Sequence, residues 1–233
     1  MGERNPRNII MTGFSYTGKT QVSQIVARRL GWDLVDTDDE IVRIAGKPIP
    51  EIFAQDGEPH FRTLERQALA NVCERSETVI ATGGGIIMSA ENREMMKRFG
   101  VVVCLEADPE TIYRRLMIDS EKADKKVVRP LLAVEDPLAR IKSLKESRQL
   151  FYDQADWTVR TDHLTPDEVA TELIRGWNYV REWTRLRPRC PDRGRRDHRY
   201  GELSGCCGMG HPWFAGRADA KGRACRGRLY PQR

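Results

Sequence analysis

Residues 13–20 read Gly13-Phe14-Ser15-Tyr16-Thr17-Gly18-Lys19-Thr20. They fit G-x-x-x-x-G-K-[ST], a loop whose backbone N–H groups cradle phosphate oxygens. Each residue type has a physical task. Gly13 and Gly18 let the backbone turn sharply and approach an anion closely. Lys19 reaches the terminal phosphates as a compact charge, and Thr20 offers its hydroxyl to a divalent cation. The candidate phosphate contacts are therefore Gly13, Ser15, Tyr16, Thr17, Gly18, Lys19 and Thr20. The flanks supply the context this loop needs. Asn8-Ile9-Ile10-Met11-Thr12 reads as a buried strand, and Val22, Ile25, Val26 and Leu30 mark a helix that Gly31 would end. The positive end of that helix would face the anion.

Outward from the loop, the pattern strand–turn–helix repeats. Further strands are expected at 32–35, 78–82, 101–105 and 157–160. Helices are expected at about 38–45, 48–55, 59–74, 89–99, from 109, at 136–152 and at 165–183. Five β-α repeats with short connections predict a parallel sheet covered on both faces, a three-layer αβα architecture. Ligands of such sheets sit at the C-terminal ends of the strands. Two groups fall there: Asp36-Thr37-Asp38-Asp39-Glu40 after the second strand and Gly83-Gly84-Gly85 after the third. Asp38 is expected to cap the helix it opens, and can face a ligand as well. Three consecutive glycines suggest a ligand that needs bare backbone. Arg62 and Glu65 are helix neighbours three apart, readable as no more than a solvated ion pair. Residues 119–128 carry a charged, aperiodic run expected to be a loop and, with Arg129 at its return, a lid.

The charge is unevenly distributed. Residues 181–233 hold 14 Lys and Arg against 5 Asp and Glu, while residues 1–180 hold 25 against 29. The net charge of +5 thus belongs to the C-terminal segment. No apolar run reaches the length of a membrane span, and Met1 to Arg7 is too polar for a secretory signal, so a cytoplasmic protein is expected. Cys73 and Cys104 lie in apolar segments and are expected to be inert buried thiols. Beyond residue 183 the chain turns to Arg, Gly, Pro and Cys without apolar periodicity. The expected organisation is a folded domain over residues 1–183 and a disordered basic tail over residues 184–233. Two other readings of the tail are weaker. Cys190, Cys206, Cys207, His211 and Cys225 lack the C-x-x-C pairing of zinc sites, and a nucleic-acid-binding arm has only its charge in support.

Taken together, the phosphate loop, Asp36-Thr37-Asp38, the run from Gly46 to Arg62, the triple glycine, Val128-Arg129-Pro130-Leu131-Leu132 and the segment from Arg148 to Tyr152 resemble the shikimate kinase family. The resemblance covers about residues 8–180. It implies the P-loop kinase fold with strand order 2-3-1-4-5, and ATP- and Mg²⁺-dependent phosphorylation of the shikimate 3-hydroxyl in the route to chorismate and the aromatic amino acids. It also implies roles. Lys19 would hold the transferred phosphate, with Thr20 and Asp36 at the metal. Asp38 would accept the hydroxyl proton, and Arg62 and Arg148 would take the substrate carboxylate. Gly83, Gly84 and Gly85 would pack on the substrate ring, Arg129 would close over the phosphates, and Arg115 and Pro166 would lie at the adenine. A monomer is expected, with shikimate and ATP as partners and neither membrane nor nucleic acid. The alternatives are another small-molecule kinase of this fold, such as a gluconate or nucleotide kinase, or a weakly active ATP-binding module. Tyr16 stands where the family commonly has glycine, so the direction of its ring decides whether the cradle stays intact.

Overall fold

The computed structural model describes residues 6–121 and 136–186. Its centre is β1 (Asn8–Gly13), buried along its whole length because helices cover both of its faces. β1 pairs in parallel with β3 (Thr78–Ala81) on one side and β4 (Gly100–Glu106) on the other. β2 (Asp33–Asp36) flanks β3, and β5 (Trp157–Arg160) flanks β4. The order is β2-β3-β1-β4-β5, as the resemblance implied.

Alternation along β1 divides the core in two. Ile9 and Met11 point to one face, where Val22, Val26 and Ala27 of α1 (Lys19–Leu30) meet Val169, Leu173 and Trp177 of α8 (Pro166–Leu186). Ile10 points to the other face. There it joins Leu69 and Val72 of α4 (Gly57–Cys73), Met96 of α5 (Ala90–Phe99), Ile112 of α6 (Pro109–Glu121), and Ile141 and Tyr152 of α7 (Pro137–Tyr152). Each fully buried aliphatic side chain here stabilises the fold by about 1.5–3 kcal/mol. A smaller cluster of Ile41, Ile52, Phe61, Leu64 and Ala68 joins α2 (Thr37–Ala45) and α3 (Ile49–Gln55) to α4.

The helix ends follow local chemistry. Gly31 and Gly46 close α1 and α2 with left-handed backbone, at φ 67° and 68°. Asp136 caps α7 by accepting from the Ala139 amide, and Thr165 and Glu168 form a reciprocal capping box at α8. Two expectations need correction. Asp36, not Asp38, caps α2, accepting from the Asp38 amide at 2.9 Å, because the strand gives way to the helix two residues earlier. Residues 119–121 continue α6, since Asp119 and Ser120 on an exposed helix surface do not break it. Gly100 closes α5 with extended backbone, its amide donating to the Met96 carbonyl, and opens β4; a Cβ there would press on the Ile10 side chain at 2.7 Å. Phe53 is 38% exposed and leans on Phe61, with ring centroids 4.6 Å apart. Cys73 and Cys104 are buried free thiols, and burial pushes both up to about 12. Arg129, the rest of the expected lid and the cysteines of the tail lie outside the described residues, while α8 runs to Leu186, past the domain end expected at residue 183. Among the described residues, no helix is long and apolar enough to cross a membrane.

Candidate active site

At the C-terminal end of the sheet, β1 runs into the phosphate loop, β2 into the acidic run and β3 into the glycines. The phosphate loop is already shaped. Thr17, 1% exposed, donates its hydroxyl to the Phe14 carbonyl at 2.8 Å. Gly18, at φ 94°, turns the chain into α1, where a residue with a Cβ would be strained. The Lys19 ammonium donates to the carbonyls of Gly13 and Phe14, each at 2.8 Å, so the loop holds its own cation in the place where phosphate would meet it. Thr20 sits in the first turn of α1.

Tyr16 occupies the left-handed region at φ 63°, the turn a glycine makes without strain. The ring packs against the apolar cluster shared by α4, α5, α6 and α7. Its carbonyl accepts from Arg115 at 3.1 Å, and Arg115 also donates to the Thr161 hydroxyl at 3.0 Å and carbonyl at 2.7 Å. Arg115 therefore ties the phosphate loop to the β5–α8 connection. That connection ends at Pro166, the first residue of α8.

Burial raises the Asp36 carboxyl to about 6, against the opposing bond from the Asp38 amide; the carboxylates of Asp38 and Asp39 add to the rise and Lys19 counters it. Among the described residues, no group of three or more His, Cys, Asp or Glu side chains could hold a metal. A P-loop Mg²⁺ needs no such cage. It keeps several waters and takes one or two protein oxygens besides those of the phosphates, which Thr20 and Asp36 fit.

The glycine loop brings the parts together. A Cβ on Gly83 would lie 2.9 Å from Asp38 Oδ1, one on Gly84 would lie 3.2 Å from the Gly13 carbonyl, and one on Gly85 would lie 3.0 Å from Arg62 Nη1. Three successive positions thus back onto the acidic group, the phosphate loop and an arginine. The expected site residues Asp38, Arg62, Gly83, Gly84 and Gly85 are neighbours of the loop at 13–20. Arg148 joins them, reaching the Gly84 carbonyl at 3.4 Å with its guanidinium over the Phe14 ring, 5.8 Å from the centroid.

Several residues had not been placed at the site. Glu65 is no solvated partner of Arg62: its side chain is 4% exposed and accepts from Arg62 Nη1 at 3.0 and 3.1 Å. Burial raises its carboxyl above the ordinary value despite that arginine. Glu58 holds the other edge of the guanidinium, at 2.9 Å from Nη2. The two acids hold Arg62 as a planar donor facing Gly85. The i,i+3 and i,i+4 spacing was visible in the sequence, but burial was not. Tyr152, one turn after Arg148, donates its phenol to the Gly84 carbonyl at 2.9 Å.

The arrangement therefore offers an anion cradle, a carboxylate beside it and two arginines across a side-chain-free wall. It can place a small anionic polyol with one hydroxyl facing a phosphate. Residues 16–177 match the sequence family described as shikimate kinase. The shikimate kinase of Thermodesulfovibrio yellowstonii is 41% identical over 169 residues, 72% of this chain and 94% of that protein. That of Caldanaerobacter subterraneus subsp. tengcongensis is 42% identical over 171 residues, 73% and 96% of the two chains. Among solved structures, the Acinetobacter baumannii shikimate kinase in complex with shikimate superposes with a TM-score of 0.67 at 34% identity, covering 79% of this chain and 97% of that one. A gluconokinase from Sinorhizobium meliloti 1021 shares the fold at 16% identity, with a TM-score of 0.53 over 79% of this chain and 99% of its own.

Proposed function

The chain belongs to the shikimate kinase family, and from that membership we propose how its own residues transfer the γ-phosphoryl group of ATP to the 3-hydroxyl of shikimate. The observation that carries the reading is the glycine wall, which faces a carboxylate, a phosphate loop and an arginine from three adjacent positions.

Arg62 and Arg148 bind the substrate carboxylate, a task for which planar guanidinium forks suit better than ammonium groups. The wall accepts the ring face, and Asp38 takes hydrogen bonds from the 3-hydroxyl. As the new O–P bond forms, the hydroxyl proton passes to Asp38 and the bond from Pγ to the bridging oxygen breaks, releasing ADP. The transferring group carries spread negative charge, so catalysis rests on placement and neutralisation. Lys19 exchanges its loop carbonyls for phosphate oxygens, and the loop amides hold the rest. Thr20 and Asp36 would hold Mg²⁺, whose charge would help to neutralise the phosphate oxygens. Arg129 is assigned to the closing lid, and Arg115 and Pro166 to the adenine side. The enzyme acts as a cytoplasmic monomer, with residues 1–183 as the catalytic domain.

Coupled measurement of ADP release tests the reading. Turnover should depend on shikimate, and Asp38→Asn should lower kcat by about 10²–10⁴-fold while the protein stays folded. Folded enzyme with equal ADP release in the absence of shikimate, or with gluconate preferred, would overturn it.

A further inference from the structure

Arg148 does not stand alone on α7. Tyr152 lies one turn later on the same side of the helix, and both side chains donate to one acceptor, the Gly84 carbonyl. A carbonyl oxygen has two lone pairs and can serve both donors. The two bonds are unequal: the phenol is at 2.9 Å and the guanidinium at 3.4 Å. The short bond anchors the carbonyl, while the long one is easily given up. Beneath the guanidinium lies Phe14, 4% exposed and part of the phosphate loop. Gly84 itself backs onto Gly13 and Ser15 of that loop. The arginine is therefore seated between an aromatic ring and a carbonyl that another residue already satisfies.

We propose that Tyr152 and Phe14 are positioning residues that present Arg148 to the substrate carboxylate: the phenol satisfies the Gly84 carbonyl so that the guanidinium is free to leave it, and the Phe14 ring holds the guanidinium plane. The inference rests on the reading of Arg148 as a carboxylate-binding residue. Its physical content is a competition. Gly84 lies close against the loop, and its carbonyl needs a donor. With the phenol present, Arg148 can turn to a ligand without leaving that oxygen bare. With the phenol removed, Arg148 becomes the donor within reach, and substrate has to draw it away. Tyr152 is 4% exposed, and burial holds its phenol far above the ordinary value, so the donor keeps its proton throughout the working pH range.

The test is a double-mutant cycle on the full-length chain, reading KM for shikimate, KM for ATP and kcat. Tyr152→Phe removes the hydroxyl and keeps the ring. It should raise KM for shikimate by about five- to twentyfold, the range associated with one buried hydrogen bond. KM for ATP should stay within about twofold, the margin expected for a group that touches no nucleotide. In an Arg148→Ala background the same change should move KM for shikimate by less than about twofold, because its effect runs through the arginine. Phe14→Leu should raise KM for shikimate by about two- to fivefold and lose that effect in the same background. It carries the cycle if Tyr152→Phe does not fold. Arg148→Ala alone separates the two readings. If it leaves KM for shikimate unchanged, the carboxylate reading fails. If it raises KM while Tyr152→Phe only lowers thermal stability or kcat, or the two effects multiply independently, the positioning role is overturned and the carboxylate reading stands.

Discussion

A carboxyl group that caps a helix and also faces an anion site answers two demands, and Asp36 answers both. As a cap it accepts from the Asp38 amide; as a half-buried acid it holds its proton up to about pH 6. The folded value lies above the unfolded one near 3.8, so the native state binds the proton more tightly. The associated stability is fully present below the unfolded value and is lost as pH rises through about 6. Asp36→Asn keeps a capping oxygen but cannot ionise. Urea unfolding of ligand-free protein should show the variant gaining about 1–3 kcal/mol on the native enzyme between pH 4 and pH 7. A constant difference across that range would refute the assignment. Tyr16 shows the opposite economy. Its left-handed backbone costs about 1 kcal/mol relative to glycine, and ring packing against the core offsets it.

Helix α7 carries Arg148, and two ion pairs of very different quality join it to its neighbours. Lys145 and Gln149 both donate to Glu106 Oε1 at the end of β4, at 3.0 and 2.9 Å, with the lysine and glutamate side chains 14% and 20% exposed. Although burial works against it, these donors hold the Glu106 carboxyl below its ordinary value. Lys142 pairs with Glu110 of α6 in the open, at 52% and 63% exposure. Glu106→Ala strands a half-buried ammonium and should cost about 1–3 kcal/mol in unfolding experiments. Lys142→Ala should cost less than about 0.5 kcal/mol. Equal losses would show that this mounting of α7 does not depend on burial. Glu106 was not legible in advance, because one acid at a strand end has no pattern; only the fold brings residues 145 and 149 to it. The helix caps were legible where a single residue could serve, as at Gly31 and Asp136. The choice between Asp36 and Asp38 was not, since their two-residue spacing allows either frame.

Across the molecule, the parallel sheet and its two covered faces could be read from strand–turn–helix repetition, because apolar period and glycine punctuation are local properties, whereas the strand order came from the family resemblance. The partner of Arg148 depends on the distance between α7 and the loop after β3, which no local pattern encodes; the acids beside Arg62 are local in spacing, and only the burial of Glu65 was hidden. The match to the family ends at residue 177 and α8 ends at Leu186. A chain stopped after Leu186 should therefore keep KM for shikimate and ATP within about twofold, since it retains every group assigned to bind them. A tenfold change in steady-state assays would give the basic segment a part in catalysis. The glycine wall has a consequence for how such an enzyme can diverge. A pocket bounded by side chains changes its selectivity one substitution at a time. Here three adjacent positions have no side chain to exchange, and any gained atom meets Asp38, the phosphate loop or Arg62. Selectivity on this side is inherited as a backbone path. Descendants that gain a side chain here must first shift Asp38, the phosphate-loop backbone or Arg62.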